Sequence, residues 1–105
     1  MQTQHVYIEA QIEQLRILLH SSSLNPGMKD ELLKRFNELR LERVETLCNA
    51  AQKPLTPTKL RYILTFLIDM EVCDVAKIFH VDAQSVYSVR YRLRKLFPQQ
   101  TVLPF

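Results

Sequence analysis

Five histidine and cysteine side chains hold the groups best suited to metal binding or nucleophilic chemistry: His5, His20, His80, Cys48 and Cys73. A zinc site needs four ligands with close pairing along the chain. Cys48, Cys73, His20 and His80 lack that pairing, so no metal is expected. None of the histidines has an acid and a nucleophile at motif spacing, and His80 reads better as a helix C-terminal cap than as a base. Both cysteines are flanked by apolar, helix-forming sequence and read as small buried hydrophobes. The chain has a single glycine, Gly27. Phosphate loops and dinucleotide fingerprints each need at least two, so both are excluded. The expectation is a protein with no catalytic residues, no cofactor and no small-molecule substrate.

The chemistry that remains is charge. The net charge is only +3 and the isoelectric point about 9.0, but the distribution is uneven. Residues 1–54 hold seven bases and seven acids. The remainder holds seven bases (Lys59, Arg61, Lys77, Arg90, Arg92, Arg94, Lys95) against four acids (Asp69, Glu71, Asp74, Asp82), so the whole excess lies there. Within 83–97, four bases meet no acid. A single-sign segment in an otherwise mixed chain is the footprint expected of an anion-binding surface.

The elements that must carry this segment are helices. With 47% hydrophobic and 24% charged residues the 105-residue composition is that of a globular protein. No apolar run is long enough to span a bilayer and no export signal opens the chain, so a cytoplasmic location without membrane contact is expected. Scarce glycine argues against hairpins and hence against a sheet. Ile8, Ile12, Leu15 and Leu19 form a 4-3-4 stripe of one helix, broken by Ser21 to Gly27. Leu32, Phe36 and Leu39 give the stripe of a second helix, about Met28 to Ala51, continued with drift by Val44, Leu47 and Ala51. Lys53-Pro54 marks a boundary. Thr56-Pro57 starts a third helix, reaching about Asp69 and burying Leu60, Ile63, Leu64 and Leu67. A short fourth helix covers about Val72 to His80, with Val75, Ala76 and Phe79 inward and Asp74 in its first turn. Asp82 caps a fifth, Ala83 to Phe97, which Pro98 ends before an uncharged extended tail. The fold expected is all-α: an N-terminal helical hairpin or pairing helices (residues 1–53), then a three-helix unit (residues 54–105). The Ile8–Leu19 stripe offers a seam for a homodimer.

Two short helices joined by a turn, the second basic, describe a helix-turn-helix, with Val81 as its buried turn residue and Val86 packing in from the second helix. Leu55-Thr56-Pro57, Asp74-Val75-Ala76 and Val81-Asp82 followed by Ser85-Val86 resemble the LuxR-type (GerE-like) DNA-binding domain over residues 55–97. They are also similar to region 4 of sigma factors. The run Ser85 to Lys95 looks most like the LuxR-like domains that end many Bacteroidetes regulators. Two features depart from the family pattern. Asp69-Met70-Glu71 stands where its turn usually holds glycine, and Pro98 with the apolar tail replaces its fourth, dimerising helix, leaving association to the N-terminal helices.

At about 100° per residue, Val86, Val89, Leu93, Leu96 and Phe97 fall on one side of the last helix, and Gln84, Tyr87, Ser88, Tyr91 and Lys95 on the other. The resemblance implies sequence-specific binding of double-stranded DNA by a small transcription regulator. Its recognition helix, about 83–97, would lie in the major groove. Gln84, Tyr87 and Ser88 are then the base-reading residues, since the N-terminal part of such a helix meets base edges. Arg90, Tyr91, Arg92, Arg94 and Lys95 are phosphate contacts, supported by Lys59 and Arg61. The rival expectation is an all-helical protein-interaction module whose basic helix meets an acidic partner.

Overall fold

The computed structural model describes residues 2–105, with side chains from residue 4 onward. It contains six helices and, among the described residues, no strand: α1 (Gln2–His20), α2 (Pro26–Glu38), α3 (Leu41–Ala50), α4 (Pro57–Leu67), α5 (Val72–Phe79) and α6 (Ala83–Arg94). Capping chemistry sets several of the starts. Asn25 accepts the Met28 backbone N–H at 2.8 Å ahead of Pro26, and Thr56 accepts that of Lys59 at 3.3 Å ahead of Pro57. Each pair satisfies an orphan N–H and uses a proline where its missing donor costs nothing.

The expected second helix is divided. Leu39 and Arg40 take extended backbone angles, ψ 127° and 125°, ending α2 and starting α3. The reason is the drift of its apolar stripe. Leu39 to Val44 is a step of five, which carries a continuous helix off the core face. The break lets α3 turn so that Val44 and Leu47 are buried together with Leu32 and Phe36.

α1 is the helix on which the others are assembled, packing against α2, α3, α4 and α5. Its stripe Ile8, Ile12, Leu15 and Leu19 is buried within the single chain. The seam expected for a partner is therefore occupied by the protein's own helices. One continuous apolar cluster runs from that stripe through Leu60, Ile63 and Leu64 of α4 to Val75 and Ile78 of α5 and Val86 and Leu93 of α6. α4 is buried nearly all round from Tyr62 to Leu67, so it joins the N-terminal helices to α5 and α6.

Several local expectations are corrected. α6 ends at Arg94 rather than Phe97. Lys95, Leu96 and Phe97 donate to the carbonyls of Arg92, Leu93 and Arg94, the tighter i to i−3 bonding that closes helix ends. Val81 is 37% exposed and not the buried residue of its turn; His80, Val81 and Asp82 are all exposed. Cys73 is exposed and Cys48 half-buried, so neither is the fully buried hydrophobe expected. Phe79 is half-buried, stacked on Tyr62 with centroids 4.2 Å apart. The non-helical tail folds back, placing the Phe105 ring 5.3 Å from Phe66 and 6.4 Å from Phe97.

Candidate nucleic-acid interface

α5 and α6 are joined by His80, Val81 and Asp82. His80 lies in the left-handed region (φ 55°, ψ 46°), and both its N–H and that of Val81 reach the Ala76 carbonyl, closing α5. Asp82 then caps α6, accepting the Ser85 backbone N–H at 2.7 Å. That bond, with a second from the Ser85 side chain, holds the Asp82 carboxyl below its usual value. The turn before α5 is made the same way: Asp69, at φ 58°, supplies the left-handed residue in the absence of glycine. Aspartate tolerates that conformation better than most side chains. Two positive-φ turns thus aim α5 and α6 from α4.

Val86 and Leu93 bury one side of α6, with Val89 partly buried beside them. On the other side Gln84 is exposed, Ser88 half-exposed, and Tyr87 and Tyr91 are 51% and 60% exposed. The predicted base-reading set therefore lies on the open surface. The predicted phosphate contacts divide into groups. Arg92 and Lys95 are exposed, and the Lys95 ammonium lies 4.4 Å from the Tyr91 ring centroid. Arg94 is exposed too, but its Nε donates to the main-chain oxygen of Phe105, the last residue of the sequence, at 2.8 Å. The tail thereby fixes the direction of that guanidinium. Arg90 is half-buried over two rings, 5.3 Å from Tyr87 and 5.9 Å from Phe66. It props Tyr87 from beneath and is less free to reach a phosphate than its neighbours.

Lys59 and Arg92 line one groove between α4 and α6. Arg61 is elsewhere: its Nε donates to the Pro57 carbonyl, and its charge acts on Tyr7 of α1. Burial pushes the Tyr7 hydroxyl above its usual pKa, with the Cys48 thiol adding to the rise and Arg61 opposing it. Of the two α4 bases only Lys59 is brought to α6.

All four ion pairs among the described residues lie in the N-terminal half: His5–Glu45, Arg16–Glu13, Arg35–Glu31 and Arg40–Glu42. Arg90, Arg92, Arg94, Lys95 and Lys59 are neutralised by none of them. The cation–ring pairs were not foreseen, although Tyr87–Arg90 and Tyr91–Lys95 stand at the helical i, i+3 and i, i+4 spacings that bring such groups together. Tail engagement of Arg94 had no sequence signal beyond an aromatic residue after Pro104. Glu71, Cys73 and Asp74 bring three ligand-type atoms within 4.8 Å at the start of α5, a grouping different from the four residues weighed in the sequence. It is one sulfur and two carboxylates from a single turn, two of the three residues exposed. Among the described residues no helix is long and apolar enough to cross a membrane. No protein-family model, curated protein or solved structure matches the chain.

Proposed function

We propose that this protein is a small DNA-binding regulator that reads duplex DNA through α6, with α5 bracing it as the first helix of a helix-turn-helix. The observation that carries this function is the outer surface of α6: an acid-free row of bases, none paired with an Asp or Glu side chain among the described residues, beside exposed Gln84, Tyr87 and Tyr91. Lysine and arginine left unpaired on a rigid helix are suited to displace counterions from phosphates. Gln84 and Ser88 carry amide and hydroxyl groups able to meet base edges. Arg92, Arg94, Lys95 and Lys59 serve as phosphate contacts; Arg90 supports Tyr87. The LuxR-like pattern of residues 55–97 agrees with this assignment, and the positive-φ turns at Asp69 and His80 provide its bends without glycine.

Two copies reading two half-sites would associate through the N-terminal helices, by surfaces other than the buried α1 stripe. The test is titration of fluorescein-labelled random-sequence duplex with wild-type protein and with the Arg92→Ala/Arg94→Ala double variant. At least a tenfold loss of affinity, with helical content unchanged, is expected. Equal binding by both proteins, or none by either, would overturn the assignment and favour a helical module that docks a protein partner.

A further inference from the structure

Where α4 and the C-terminal half of α6 meet, they enclose a groove of about 430 Å³. Its floor is apolar: Tyr62 and Leu93 are buried, and Val89 and Leu96 are partly so. Its rim holds two bases, Lys59 from α4 and Arg92 from α6, with Thr58 exposed at the mouth. Neither base is paired with an acid among the described residues. The groove also opens beside the N-terminus of α4, where the helix dipole adds positive potential. Arg92 stands close to the floor. Burial raises the pKa of the Tyr62 hydroxyl, and the Arg92 charge opposes that rise.

We propose that this groove binds an anionic amphiphile: a carboxylate or phosphate head group between Lys59 and Arg92, and a single alkyl chain along Tyr62, Val89, Leu93 and Leu96. A DNA phosphate would engage the two bases but leave the apolar floor wet, and a neutral apolar ligand would leave both cations unused. Only a ligand with both parts matches the rim and the floor together, and the volume is within the range of small-molecule sites. The proposal rests on the groove alone and stands whether or not α6 reads DNA.

Calorimetric titration of the full chain with decanoate, kept below its micellar concentration, is the test. Acetate supplies the head group without the chain, and decyltrimethylammonium the same chain with a cationic head. Saturable binding of one decanoate per protein is expected, at least tenfold tighter than either control. Thr58→Glu sets a carboxylate at the mouth, at a helix position where an acid favours folding. It should weaken decanoate at least tenfold while the melting temperature holds. The Lys59→Gln/Arg92→Gln variant should do the same by removing the cations. Equal affinity for the cationic and anionic chains, or decanoate binding unchanged in both variants, would overturn the proposal. So would binding to phosphatidylglycerol vesicles with none to monomeric decanoate, which would assign the charge to a membrane surface.

Discussion

Leu15→Ala tests whether α4 to α6 depend on the N-terminal helices. Leu15 is fully buried on α1, which packs against α4 and α5 as well as α2 and α3. Truncating a buried leucine to alanine costs about 3–5 kcal/mol, the lost transfer energy plus the cavity left behind. A chain of this length has a total stability of about 5–15 kcal/mol, so one truncation removes a large fraction. With about 4–8 °C per kcal/mol for a domain of this size, the melting temperature should fall by roughly 12 °C or more. The assay is urea unfolding followed by two probes. Far-UV circular dichroism reports all six helices, and the NMR ring signals of Tyr62 report its stack on Phe79 in the C-terminal half. Both midpoints should move down together with an unchanged slope, because one continuous core links the two halves. A Tyr62 signal that keeps the wild-type midpoint while helicity is lost would refute the reasoning, since α4 to α6 would then be stable without α1.

Gly27→Ala should raise stability by about 0.5–1 kcal/mol in thermal unfolding, since Gly27 lies in the first turn of α2. An added Cβ would meet only Asn25 Oδ1 at an ordinary 3.5 Å. The Asp82 carboxyl, held low by its bonds to Ser85, contributes stability that is present above the free aspartate value of 3.8 and lost as pH falls through its folded-state pKa. Its carboxyl carbon should titrate below 3.8 by NMR, and exchange of the Ser85 amide should quicken as it does. Phe105→Ala should cost about 1–2 kcal/mol, less than the loss of a fully buried ring, because Phe105 is only half-buried against Phe66 and Phe97. The same change should broaden the Arg94 Nε resonance, since the main-chain oxygen that orients it lies on a tail no longer anchored.

The helices were legible wherever periodicity and capping agreed. Thr56-Pro57 and Asp82 are caps in the structure, and the α1 stripe is buried as its 4-3-4 spacing requires. The break between α2 and α3 carries neither proline nor glycine, so only the five-residue step from Leu39 to Val44 announced it. Which partner covered the α1 stripe could not be read from its spacing, because a stripe looks alike whether a second chain or α4 lies against it. At the candidate interface, helical geometry placed Gln84, Tyr87 and Tyr91 on the open side correctly. Charge counting treated the bases as equivalent, whereas the fold distinguishes them. Arg90 lies over aromatic rings, Arg94 is held by the tail, Arg61 bonds back to Pro57 of its own helix, and Lys59 and Arg92 share a groove. Those differences arise from contacts with residues distant in sequence or from rotamer choices on the helix, and net charge records neither.

The most direct test of the central proposal is the salt dependence of duplex binding by the folded wild-type protein, measured by fluorescence anisotropy. Four phosphate contacts, from Lys59, Arg92, Arg94 and Lys95, predict a slope of about −3 to −4 in log affinity against log salt. Removing Arg92 and Arg94 together should reduce the magnitude of that slope by about two. A flat salt dependence, or no binding at low salt by a protein whose helices are intact, would contradict the proposal that α6 is a DNA-reading helix.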